Sequence, residues 1–234
     1  MSMTKKIFKN ILYIIIVFLS FTSLLILLLR WLNPPTTAFI QQAENYSFQS
    51  MFVEQDKLQE WVPIKSISKN ILFAVIASED QRFFEHFGFD FVEIGKAVDE
   101  KVDSNLSRGA STITQQVAKN LFLYPAKSFF RKGIELYYSI LIELFWDKRR
   151  ILEVYLNIAQ FGEKIYGIEA ASQYYFNKSS RYLNIDESAQ LISILPNPIK
   201  FNLENKSSYL ESRIERIKLE IKNIQKGKIL EIVS

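Results

Sequence analysis

A run of 19 residues without a charge, Ile11 to Leu29, constrains this chain more than any other feature. Ser20, Thr22 and Ser23 are its mildly polar members. At about 1.5 Å per residue, a helix of that length crosses a hydrocarbon core of roughly 30 Å. Lys5, Lys6 and Lys9 precede the run and Arg30 follows it, and a lysine–arginine excess marks the cytoplasmic side of a span. The pattern predicts a cytoplasmic N-terminus over residues 1–10 and a transmembrane anchor over 11–32. A cleaved signal peptide is the competing reading, but no small-x-small cleavage site follows. Asn33-Pro34-Pro35 ends the helix and opens a connector over 33–60. Residues 61–234 remain for one domain of ordinary size, placed outside the membrane.

Charge and composition narrow what that domain does. Of the 29 basic residues, 25 lie after Leu32 together with all 25 acidic ones, so the net charge of +4 belongs to the anchor region. Nucleic-acid binding by global charge is excluded. The chain has no cysteine, which removes disulfides and thiolate metal sites, and its one histidine, His86, leaves no histidine-rich zinc site.

Beyond about Ser68 the pattern is helical almost throughout, with little strand-like alternation, so the fold class is mainly α. Ile71, Leu72, Val75 and Ile76 make one apolar stripe with Ser68 as its N-cap. Ile113, Val117 and Leu121 make another. Further helices are predicted over 128–146, 148–159 and 186–195. The tail from Tyr209 to Ile232 reads as a basic amphipathic helix that packs back on the domain.

Four blocks carry candidate chemistry. In the first, residues 78–90, Glu79 falls on or beside the apolar stripe, where a carboxylate suits proton transfer. The bland alternative is a core acid paired with Arg82. In the second, residues 108–121, Thr112, Gln115, Gln116 and Lys119 share a helical face opposite the apolar stripe. Ser111 or Thr112 can cap that helix, and such a face suits a ligand rich in hydroxyls and phosphates. In the third, Lys127, Arg131 and Lys132 form a cationic cluster able to stabilise a diphosphate, with Glu135 at i+4 from Arg131. In the fourth, Arg149, Glu153 and Asn157 lie one turn apart. Two other matches fail: Ser66-Ile67-Ser68-Lys69 lacks the partners of a penicillin-acylated serine, and the Gly162–Gly167 spacing lacks the Lys-Ser/Thr of a P-loop.

Taken in order, these blocks resemble the peptidoglycan glycosyltransferases: the monofunctional transglycosylases and the glycan-polymerising domain of class A penicillin-binding proteins. The resemblance runs from about Trp61 to Pro198. It rests on Glu79-Asp80 with Phe83, His86, Gly88 and Asp90, on Gly109 to Asn120, on Arg131-Lys132 with Glu135, on Lys148 to Asn157, and on Leu195-Pro196-Asn197-Pro198. Lys127 stands where that family often has arginine. The resemblance implies a lysozyme-like fold with a small membrane-associated jaw, and lipid II and the lipid-linked growing strand as substrates. It implies Glu79 and Glu135 as catalytic residues. Asp80, Phe83, Ser111, Thr112, Gln115, Gln116, Lys119, Asn120, Lys127, Arg131, Lys132, Glu153 and Asn157 would bind substrate. No cofactor is required by it, although Glu135 would orient either the cations or a Mg²⁺. It places the protein in the inner membrane, facing the periplasm, with penicillin-binding and division proteins as candidate partners. Two rival classes remain, a lytic enzyme that cleaves glycan and a non-catalytic scaffold of wall synthesis.

Overall fold

The computed structural model describes residues 3–43, 58–104, 111–124, 128–224 and 226–231. Helix α1 spans Met3–Leu29, so the three N-terminal lysines are helical and extend the uncharged run by about two turns. Its side chains from Thr4 to Phe21 are exposed, and those from Thr22 onward are largely covered. Thr22 and Ile26, four residues apart, are the buried ones, and they lie where α1 meets the helix α6, Phe129–Phe145. The Thr22 and Tyr137 hydroxyls are 2.6 Å apart, Phe18 stacks on Tyr137, and Trp146 Nε1 donates to the Ile26 carbonyl at 2.7 Å. At the end of α1 the Arg150 guanidinium donates to the carbonyls of Leu29 and Leu32 and to Asn33 Oδ1. Carbonyls at a helix C-terminus have no intrahelical partner, and here a domain side chain supplies one. The apolar helix is thereby docked on the domain through its C-terminal third.

The connector carries structure as well. Helix α2, Ala38–Ala43, starts on Thr37, whose hydroxyl accepts from the Ile40 amide, and Ile40 is fully buried. Strand β1, Leu58–Gln59, pairs in parallel with β3, Ile165–Tyr166, and β3 pairs antiparallel with β2, Gln160–Gly162. This small sheet escapes the sequence pattern because its strands are too short to show alternation.

The domain core is built on capped helices. Helix α3, Lys69–Glu79, begins at Ser68, whose Oγ accepts from the Asn70 amide, and it buries the expected stripe Ile71, Leu72, Val75 and Ile76. Helix α4 is Phe91–Ser104, and α5 is Ile113–Phe122. A reciprocal capping box, Thr112 with Gln115, opens α5, and Asp147 caps α7, Lys148–Ile158. Helix α8, Ile168–Phe176, starts at Gly167, where φ is +83° and a Cβ would lie 2.8 Å from the Asn157 carbonyl oxygen. Only glycine fits there. Helix α9, Ile185–Ile194, opens on an Asn184–Glu187 capping box. The predicted tail helix is two helices, α10 over Ser208–Asn223 and α11 over Lys226–Glu231, with Ile224 in an extended conformation between them. As expected, α10 packs back on the domain through Leu210, Ile214, Ile217 and Ile221, against α3 and α9.

Candidate active site

Glu79 is the last residue of α3, where the helix runs out of the core and its side chain is half-buried. The expected apolar wall is replaced by polar partners. Gln116 Nε2 of α5 donates to Glu79 Oε2 at 3.0 Å. Ser78 Oγ donates to Oε1 at 3.2 Å, and Arg213 Nη2 of α10 donates to the same oxygen at 3.3 Å. Arg82, the alternative partner read from the sequence, turns instead to Glu85 and Asp90. Gln116 is itself oriented by Tyr155 of α7, whose hydroxyl donates to Oε1 at 3.3 Å. Burial raises the Tyr155 pKa well above its ordinary value, the charges of Glu79 and Asp80 push the same way, and Arg213 opposes them. Tyr155 therefore remains a hydroxyl donor at any working pH.

The rest of the first block builds the loop that follows Glu79. Asp80 is buried, with Oδ1 bonded to His86 Nε2 at 2.8 Å and Oδ2 accepting from the Ile113 amide at 3.0 Å. It thus braces the start of α5. Asp90 accepts from Arg82 and from the amides of Val92 and Glu93, which caps α4. Gly88, at φ +78°, donates its amide to Glu143 Oε1 and accepts from Thr112 Oγ1 at its carbonyl. Phe83, expected to meet substrate, is fully buried, with Lys148 Nζ 4.5 Å from its ring centroid. Its ring packs the loop onto the domain. Asp80, His86 and Asp90 also lie close enough to share a metal ion. Arg82 pairs with Asp90 at 3.0 Å and His86 with Asp80 at 2.8 Å, whereas His86 Nδ1 and Asp90 Oδ2 are buried without a hydrogen-bond partner.

On α5 the second block divides. Thr112 and Gln115 are buried and spent on the capping box, Ser111 is exposed, and Asn120 is half-buried. Gln116 reaches Glu79. Lys119 is exposed, yet the protein around it lowers its pKa, first through desolvation. Glu135 opposes that shift, Arg131 and Lys132 add to it by repulsion, and Glu79 opposes it more weakly. Lys119 thus lies within the field of both carboxylates and joins the base region to the cations.

The cations open α6. Ser128 caps it, and Arg131 Nη1 donates to Glu135 Oε2 at 3.0 Å. Lys132 Nζ donates to Glu135 Oε1. Glu135 is buried, whereas Lys132 is exposed. Both carboxylate oxygens face fixed positive charge, so Glu135 does not fit as a Mg²⁺ ligand; it orients the two cations. Lys127 lies outside the described residues.

A family model described as Transglycosylase matches residues 45–222. The chain belongs to the transglycosylase family. A biosynthetic peptidoglycan transglycosylase of Shewanella frigidimarina (strain NCIMB 400) is 48% identical over 185 residues, 79% of this chain and 77% of the relative. One from Marinomonas sp. (strain MWYL1) is 43% identical over 218 residues, 93% of this chain and 92% of that protein. One from Haemophilus influenzae (strain PittEE) is 47% identical over 204 residues, 86% and 84% of the two chains. The helical domain is the lysozyme-like fold of this family, and the protein is a glycosyltransferase.

Two more residues expected to bind substrate in this transglycosylase tie α7 to the segment before α3. Asn157 is fully buried, with Oδ1 accepting from the Val62 amide at 2.8 Å and Nδ2 donating to the Val62 carbonyl at 2.9 Å. Glu153 accepts from the Ile64 amide at 2.9 Å and from Arg150. Ser78, Tyr155 and Arg213 are the site residues that sequence reasoning missed. A signal for Arg213 existed: it occupies the i+3 position of the apolar stripe running from Leu210 through Ile214 and Ile217 to Ile221.

Proposed function

We propose that this transglycosylase polymerises lipid II into β-1,4-linked glycan strands and releases undecaprenyl diphosphate. Glu79 takes the proton from the 4-hydroxyl of the incoming N-acetylglucosamine. That oxygen bonds to C1 of the N-acetylmuramic acid at the lipid-linked end of the strand, and the C1–O bond to the diphosphate breaks with inversion. Glu79 Oε1 already accepts two donors and Oε2 one, which favours Oε2 as the oxygen that receives the proton. Lys119, Arg131 and Lys132 stabilise the charge that grows on the departing diphosphate, and Glu135 holds the last two in place.

The observation that carries this reading is Lys119, on which the charges of Glu135, Arg131 and Lys132 and, more weakly, of Glu79 all act. A base and a cationic site that share one lysine suit a reaction in which an alcohol attacks and a diphosphate leaves. The docked apolar helix supports a substrate that is itself lipid-linked. So does an apolar stripe on α6, where Phe129, Phe130, Leu136, Ile140 and Leu144 are all exposed. The lysines in the first turns of α1 favour a cytoplasmic N-terminus, with the catalytic domain on the outer face of the inner membrane. Penicillin-binding and division proteins are the candidate partners there.

The test is polymer formation from purified lipid II by the full chain in detergent. Wild type is expected to make glycan strands, and Glu79→Gln to lose about a hundred- to ten-thousandfold in rate while keeping its melting temperature. Finished strands form the second arm of the assay. Cleavage of those strands without synthesis from lipid II would establish the lytic alternative, and normal polymer yield from a folded Glu79→Gln variant would remove Glu79 as the base.

A further inference from the structure

We propose that Arg213 is a positioning residue for the Glu79 carboxylate, and that α10 is thereby part of the catalytic apparatus rather than only a packing helix. The proposal rests on the reading of Glu79 as the base. Three bonds fix the guanidinium. Nε donates to the Ser193 carbonyl at the end of α9 at 3.1 Å, and Nη2 donates to Ser78 Oγ at 3.0 Å and to Glu79 Oε1 at 3.3 Å. The side chains of Arg213 and Glu79 are 12% and 13% exposed, so the pair is sheltered without being sealed from solvent.

This arrangement differs from an ordinary surface pair. A flexible pair follows whichever partner moves, but here the Ser193 carbonyl holds the guanidinium independently of the carboxylate. Ser193 is fully buried, and Leu210 and Ile214, the apolar neighbours of Arg213 on α10, are buried against the domain. The cation is therefore a fixed point, and Glu79, at the C-terminal end of its own helix, is the group being held. Arg213 engages Oε1 together with Ser78, while Gln116 approaches Oε2 from α5. Two donors on one oxygen and one on the other set the plane of the carboxylate and turn Oε2 toward the incoming hydroxyl. A base displaced by about 1 Å from its working position loses on the order of a hundredfold in rate.

A positioning role and a purely structural role predict different kinetics. Arg213→Ala in the full chain is expected to lower kcat on lipid II by about ten- to a hundredfold, with KM changed by no more than about twofold. Arg213→Lys keeps the charge but cannot bridge Ser193, Ser78 and Glu79 at once, so it should recover part of the loss. Added guanidinium ion should raise the rate of Arg213→Ala and leave wild type unchanged. Should Arg213→Ala fail to fold, Arg213→Lys carries the test, with reduced kcat at an unchanged melting temperature as the supporting result. Unchanged kcat in the folded variant overturns the proposal, as does a raised KM at normal kcat, which would make Arg213 a substrate contact. Glu79→Gln, measured alongside, separates the two failures. If Glu79→Gln is inactive and Arg213→Ala is normal, the Arg213 role alone falls; if Glu79→Gln is fully active, the base assignment falls and takes the Arg213 role with it.

Discussion

Glu79 and Glu135 are both held by positive charge, but the charges arrive by different routes. Glu135 meets Arg131 and Lys132, four and three residues earlier on its own helix. Glu79 meets Gln116 from α5, 37 residues later, and Arg213 from α10, 134 residues later. One site is a property of a helix face; the other exists only when four helices are assembled. A local pair keeps much of its geometry whenever its helix forms. A long-range constellation is lost as soon as tertiary packing loosens, so the base should be the more fragile half of the site and the cation cluster the more robust.

The largest effect that sharpens this contrast is expected at the cations. Lys119→Ala or Arg131→Ala should cut lipid II polymerisation by on the order of a hundredfold, because each removes fixed charge aimed at the leaving diphosphate. Neither should lower the melting temperature much: Lys119 is exposed, and Glu135 keeps Lys132 when Arg131 is lost. Rate measurements beside thermal melts decide the matter. Near-normal polymerisation by both folded variants would mean that these residues only solvate helix surfaces.

The same contrast explains what the sequence disclosed. Ser68 as the cap of α3, Thr112 as the cap of α5 and the Arg131–Glu135 pair are legible because each depends on residues two to four apart. The apolar stripes were legible for the same reason. At Phe83, Asn157 and Glu153 a motif does not distinguish a brace of the fold from a substrate contact, each being a polar or aromatic residue at a fixed spacing. Only coordinates distinguish a side chain that meets the Val62 backbone from one that meets a sugar. Arg213 is one of several charges on a basic helix, and no local rule connects it to Glu79. The small sheet and the docked connector helix were hidden in strands and turns too short to show a period.

Lys119, which lies between the two halves, gives a smaller and pH-dependent test. Its pKa is lowered by desolvation and by Arg131 and Lys132, against the pull of Glu135 and Glu79. A lysine shifted this way sheds its proton at lower pH than a free one. As pH rises it becomes neutral while Arg131 stays charged, and help for the leaving group is lost. The alkaline limb of kcat/KM should therefore show a several-fold loss below the ordinary lysine range, and Lys119→Arg should move that limb upward because guanidinium stays charged. The limb should be weaker in kcat, because a bound diphosphate favours the protonated lysine. An alkaline limb that is identical in wild type and Lys119→Arg would assign it to some other group.

The smallest effect concerns the outermost member of the long-range constellation. Tyr155 is buried, its hydroxyl is kept protonated by that burial, and it donates to Gln116 Oε1 at 3.3 Å. An amide placed between a donor and a carboxylate has one favourable orientation, with its oxygen toward the hydroxyl and its nitrogen toward the carboxylate. Tyr155→Phe removes the donor while filling the same volume, so the core should hold. Gln116 then relies on Glu79 alone for its orientation. A carboxylate accepts and does not donate, so Nε2 still prefers to face it, and the amide should seldom turn over. At 3.3 Å the lost bond lies at the weak end of the range, and its net contribution is about 0.5–1 kcal/mol. The expected result is a kcat lowered about two- to fivefold, with KM and melting temperature nearly unchanged. A hundredfold loss in a folded variant would place Tyr155 against substrate rather than behind Gln116. No change at all would show that Glu79 holds Gln116 unaided and that the long-range constellation ends one residue sooner.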